Sequence, residues 1–167
     1  MKIKLNNLVL AVFSACILCS NPVSASWLFS HGHSGHLENE TTTNFARKGY
    51  GLEVFPQFAE STWVHYSVPS NGDSNAGARY VRLEFTVDHA VDSRISRVDI
   101  YNGNLLVKSF LNLNLNTPGF QIKLLDLGNI KQFRRGMGVS VEITAGPDSG
   151  IDQFTFNGVG ANFVTTP

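Results

Sequence analysis

The sequence predicts an all-β protein, an antiparallel β-sandwich of jelly-roll type built from eight or nine short strands. Three observations carry that expectation. Past Ser26 hydrophobic residues recur with a period of two, and turn residues rich in glycine and proline interrupt them at short intervals. No run of helical period exceeds about two turns, and short strands at this spacing belong to sandwiches and barrels.

In chain order, Trp27–Phe29 joins the N-terminal edge and Gly51–Phe55 forms a short strand. Val64, Tyr66 and Val68 alternate with Trp63, His65 and Ser67, so both faces of this strand carry bulk. Val81, Leu83, Phe85 and Val87 alternate with Tyr80, Arg82, Glu84 and Thr86, the pattern of a half-buried strand. Val98 and Ile100 lead into Asn102-Gly103, and Leu105 and Val107 follow. Asn-Gly between two apolar runs predicts a hairpin with a primed turn, both residues at positive φ. Leu111, Leu113 and Leu115 alternate with Asn112, Asn114 and Asn116, giving one leucine face and one amide face. Gln121–Leu125 is a further strand, and Leu127–Phe133 suits a short turn of helix. Met137, Val139, Val141 and Ile143 alternate with Gly138, Ser140, Glu142 and Thr144. Gln153–Phe156 and Ala161–Val164 complete the set, with Asn157-Gly158 read as the turn between them.

The first 25 residues read as an export signal. Lys2 and Lys4 precede an apolar stretch from Leu8 to Leu18, and Val23 and Ala25 place small residues before a cut ahead of Ser26. Removing 25 of the 167 residues leaves 142, the size of one domain, 26–167, with no further membrane-spanning stretch. Secretion or a periplasmic location follows. Phe13-Ser14-Ala15-Cys16 is a poor lipobox, so lipid anchoring at Cys16 is the lesser alternative. Both cysteines, Cys16 and Cys19, lie in the signal, so stability must come from burial without disulfides, which points to a bacterial source. Asn39-Glu40-Thr41 fits a glycosylation triplet that matters only in a eukaryotic secretory pathway. The signal holds two of the 13 Lys and Arg and none of the 13 Asp and Glu, so the remainder carries 11 against 13. That near-neutral balance gives no electrostatic footprint for nucleic acid, and Lys131, Arg134 and Arg135 form the one local basic cluster.

His31, His33 and His36 fall within six residues. Imidazole is the commonest transition-metal ligand and flanking glycines let a loop wrap an ion, so these three are the candidate ligands of a divalent transition metal. A tetrahedral site then needs a fourth ligand, such as Glu38 or His65; the competing reading is a polar loop. Ser70–Gly77 places side-chain oxygens at alternate positions, as calcium loops do, but holds one carboxylate and fits a plain hairpin loop better. No Gly-x-Ser-x-Gly elbow and no His-Glu-x-x-His motif is present, so no catalytic residue is assigned. Aromatic rings on polar faces are more suggestive. Trp63 shares a face with His65 and Ser67, and Tyr101 with Arg97 and Asp99. Rings beside hydrogen-bonding groups stack on sugars, so Trp63, His65 and Tyr101 are the candidate ligand-binding residues. A glycan or cell-envelope component is their expected partner, although Trp63 is also a natural core plug. A surface protein that acts by association is the third reading.

Trp27…His31-Gly32, Gly49-Tyr50-Gly51, Trp63-Val64-His65-Tyr66…Pro69, Tyr101-Asn102-Gly103, Gly136-Met137-Gly138-Val139-Ser140 and Gly160-Ala161-Asn162-Phe163 together resemble a family of small uncharacterised bacterial proteins, grouped as a domain of unknown function. The resemblance spans most of the chain after the signal and implies an all-β fold without naming an activity. His33 stands where that pattern has Asn, and Asn102 where it has Asp, which makes the histidine cluster particular to this chain.

Overall fold

The computed structural model describes residues 25–57, 60–70 and 76–165. The expected export signal, apart from Ala25, and Asn71–Asn75 of the candidate calcium loop lie outside the described residues. The chain folds as an antiparallel two-sheet sandwich of eleven strands among the described residues: β1 (Ala25–His31), β2 (His36–Leu37), β3 (Asn44–Lys48), β4 (Gly51–Phe55), β5 (Ser61–Val68), β6 (Ala76–His89), β7 (Arg94–Asn102), β8 (Leu105–Phe110), β9 (Gly119–Gln132), β10 (Met137–Thr144) and β11 (Gln153–Thr165). The first sheet has the order β3-β4-β11-β6-β9, with β1 also on β11, and the second the order β2-β5-β10-β7-β8.

The pairing defines a jelly roll. β4 pairs with β11, β5 with β10, β6 with β9 and β7 with β8, so the chain runs out along four strands and back along the next four. Folding that two-stranded ribbon on itself adds the β11–β6 and β10–β7 pairings and closes both sheets. Val81, Leu83, Phe85 and Val87 from one sheet and Val64, Tyr66, Val139, Val141 and Ile143 from the other meet as a dry core. Every inward residue read from these three alternating segments is buried.

The differences from the expected elements have physical causes. β2 is too short for alternation to register, and β3, an edge strand with no buried residue, carries one bulky apolar side chain, Phe45. Gln153–Phe156 and Ala161–Val164 are one strand, and Asn157 sits at a bulge between Phe156 and Gly158 where β11 slips its register on β6. The β7–β8 hairpin forms, but its two-residue turn is Gly103-Asn104, between the paired Asn102 and Leu105, and Gly103 alone holds a positive φ of 59°. Leu111–Leu115 crosses between the sheets as irregular chain, with Leu113 and Leu115 hydrogen-bonded to the β7 backbone. Leu127–Phe133 is not helical. Its first six residues continue β9, because re-pairing of Lys131 and Gln132 with Ala78 and Gly77 outweighs local preference, and Gly128 at φ 87° absorbs the intervening bulge.

Candidate functional site

The outer face of the second sheet is where most of the predicted residues converge. Strand register sets them in rows across β5, β10 and β7: Trp63, Glu142 and Arg97; then His65, Ser140 and Asp99; then Ser67, Gly138 and Tyr101. β2 extends the middle row, with His36 opposite His65. The inward neighbours Val64, Tyr66, Val139, Val141, Val98 and Ile100 are core, so period two forces the intervening side chains outward. Trp63 is therefore not a core plug. It lies half-buried on this face, parallel to His65 with ring centroids 6.5 Å apart, and the Arg97 guanidinium sits 5.4 Å from its ring centre.

A groove of about 600 Å³ opens on these rows, lined among others by Ser34, His36, His65, Ser67, Tyr101 and Ser140. Gly138 and Gly103 also border it, and a Cβ at Gly138 would meet nothing nearer than Tyr101 Cβ at 3.5 Å. His65 Nδ1 and Ser140 Oγ are 2.9 Å apart. In the middle row Asp99 is only 1% exposed although its parity faces it outward. Arg97 grips it with two bonds, Nε to Oδ1 at 2.9 Å and Nη2 to Oδ2 at 2.7 Å, and the Tyr101 hydroxyl donates to Oδ2 at 3.4 Å. Desolvation and the Asp99 charge raise the Tyr101 phenol above its usual range, while the Asp99 bond raises the Arg97 guanidinium. Arg97 and Asp99 are thus engaged with each other and Glu142 Oε2 accepts from the Ser96 hydroxyl at 3.0 Å, leaving hydroxyl, imidazole and ring surface turned to the groove. Beyond Glu142 the same face carries a second hollow of about 470 Å³, bordered by Asn112 and Asn114 of the predicted amide row.

The three N-terminal histidines are not brought together. Gly32–Ser34 forms a 3-10 turn after β1; its Gly32 backs onto the Phe156 carbonyl, while Gly35 backs onto the Tyr66 ring, and the Tyr66 hydroxyl donates to Gly32 O at 3.1 Å. With both glycines buried, His31, His33 and His36 are turned to solvent. His31 and His33 touch through their Nδ1 atoms at 2.7 Å, whereas His36 is spent on the β2 row beside His65. Among the described residues no group of three or more His, Cys, Asp or Glu side chains is placed to hold a metal ion. Burial holds the Tyr66 phenol well above its usual range, so it stays a donor to the turn.

For ligand binding, pattern reading named Trp63, His65 and Tyr101, which the fold sets on one face, but not Ser140, Gly138 or His36, which border the same groove. Their outward parity was visible; their neighbours were not, because nothing in the sequence says that β10 lies between β5 and β7.

No protein-family profile matches the chain, and no curated protein sequence matches it. Solved structures do align with it. A family 36 carbohydrate-binding module in complex with calcium and xylotriose is 16% identical, with 78% of this chain and 96% of that one covered and a TM-score of 0.44. A family 35 carbohydrate-binding module from Clostridium thermocellum is 12% identical over 80% and 97%, with a TM-score of 0.45. A family 29 module from Piromyces equi is 11% identical over 87% and 93%, with a TM-score of 0.44. The jelly-roll assignment stands on this chain's own strand pairing. Among the described residues no helix is long and apolar enough to cross a membrane.

Proposed function

We propose that the outer face of the second sheet binds an uncharged extracellular glycan. The observation that supports it is the composition of the groove: Tyr101 and His65 among Ser34, Ser67 and Ser140, with Trp63 on the adjoining row. Sugar rings offer apolar C–H faces and a rim of hydroxyls that both donate and accept. Aromatic surface suits the first, and serine, tyrosine and imidazole groups suit the second. Neutrality is favoured by Arg97 being held by Asp99, so the guanidinium beside Trp63 is not free to pair with a phosphate or carboxylate. The groove is open and half polar, which suits a flat polyol better than a compact apolar ligand.

An array of plant, fungal and bacterial glycans, followed by titration of hits against Trp63→Ala and Tyr101→Ala, tests the proposal. Binding to neutral chains that falls at least ~5-fold in both variants supports it, an aromatic contact being worth about 1 kcal/mol or more. No binding by folded protein, or a preference for anionic chains that both variants retain, sinks it.

A further inference from the structure

The opposite face of the molecule, the outer surface of the first sheet, carries a different chemistry. Register across β1, β11, β6 and β9 gives three rows: Trp27, Asn162, Tyr80 and Asp126; Phe29, Gly160, Arg82 and Leu124; His31, Gly158, Glu84 and Ile122. Phe120 follows Ile122 along β9, opposite Thr86. Two apolar stripes therefore flank a central charged strip. Trp27, Phe29, Phe120, Ile122 and Leu124 are 36–57% exposed, and Trp27 and Phe29 stack on each other with centroids 5.8 Å apart. Phe29 packs its ring onto Gly160, and beside it Gly158 leaves a hollow of about 330 Å³, bordered by Phe29, His31, Glu84 and Asn157.

We infer that this face is the docking surface for a second copy of the chain, in a two-fold dimer. Area is the first argument. Side chains of this size leave on the order of 90 Å² each at these exposures, so the five present on the order of 450 Å² in total over the two stripes. A stable interface covers about 800 Å² per partner and is about 56–65% apolar, which matches. Self-complementarity is the second argument. A two-fold axis lying between the copies and crossing the strands at the level of Leu83 exchanges the row of Arg82 with the row of Glu84. It sets Ile122 against the second copy's Leu124, Arg82 against the second copy's Glu84, and Phe29 toward the glycine hollow. Within one chain Arg82 reaches Glu84 at 2.7 Å through Nη2, while its Nε is buried without a hydrogen-bond partner among the described residues. In the dimer each Arg82–Glu84 pair meets its counterpart with signs reversed, so four alternating charges face one another at the centre of the interface.

Sedimentation equilibrium of the purified protein from about 1 to 100 µM, a range spanning ordinary dimer affinities, reads the outcome. The expected result is a dimer whose dissociation constant rises at least ~100-fold in Ile122→Asp and in Arg82→Glu, with Arg82→Glu/Glu84→Arg restoring most of the loss. Leu124→Ser, a milder change at an exposed position, decides the matter should Ile122→Asp not fold by circular dichroism. A monomer across the whole range overturns the inference. So does a dimer that Ile122→Asp and Leu124→Ser leave unchanged, since it then forms through another face.

Discussion

Gly32→Ala separates a glycine required by packing from one that is merely tolerated. A Cβ at this position would lie 1.8 Å from the Phe156 carbonyl oxygen, 2.5 Å from its carbon and 2.9 Å from the Asn157 carbonyl carbon. Ordinary carbon–oxygen contact begins at about 3.3 Å, so the turn and β11 must part by about 1.5 Å. Neither side yields cheaply. Phe156 is pinned between Leu52 of β4 and Phe85 of β6, and the turn is tied down by the Tyr66 hydroxyl on Gly32 O. Overpacking costs about 1–3 kcal/mol, and an obstacle made of sheet backbone places Gly32→Ala near 3 kcal/mol, a fall of about 1–2 M in urea midpoint. Gly49 is the internal control. Nothing lies within 4 Å of its Cβ position, so Gly49→Ala should stay within about 0.5 kcal/mol of the parent. Equilibrium urea unfolding of the three proteins is the assay. Equal midpoints for Gly32→Ala and Gly49→Ala would refute the packing account of the histidine motif.

Phe85→Ala, truncating a ring 1% exposed in the core, should cost about 3–5 kcal/mol by denaturant melt, whereas Glu142→Ala on the outward face of β10 should cost about 0.5 kcal/mol or less. Gly138→Val should leave the melt within about 1 kcal/mol of the parent while occupying the groove and abolishing glycan binding, because the nearest atom to its Cβ position is 3.5 Å away. Burial acts to raise the Asp152 carboxyl, but hydrogen bonds from Ser93, Val91 N and His89 outweigh it and hold the group below the usual carboxylate range. A depressed folded-state value stabilises the fold above the unfolded value of about 3.9 and loses that support as pH falls through the folded one, so Asp152→Asn should flatten the acid limb of a pH-stability profile. Zinc titration calorimetry on the parent and His33→Ala should show no site tighter than a pair of imidazoles provides; a sub-micromolar site lost in His33→Ala would revive the three-histidine metal centre.

The sequence by itself determined which side of each long strand faces the core. Period two is a property of the extended chain, and burying one face of a sheet leaves no alternative parity. That is why Val81, Leu83, Phe85 and Val87, and likewise Met137, Val139, Val141 and Ile143, fall as their alternation predicts. It also determined that Trp63 and His65 share one face, and that Tyr101 shares one with Asp99. What pattern does not encode is which strand lies beside which, because pairing partners are chosen by long-range packing that no local window contains. Placing β10 between β5 and β7 turned two unrelated half-faces into one groove and added Ser140 and Gly138 to it. Placement of β11 beside Gly32 and of Tyr66 from β5 beside Gly35 drew both glycines inward, and so parted His36 from His31 and His33, which spacing alone would gather with it. Local propensity failed for the same reason at Leu127–Phe133, where re-pairing with β6 decided for strand over helix. Side-chain direction is a local consequence of backbone geometry; the composition of a site is a consequence of neighbours, and only the folded sheets supply them.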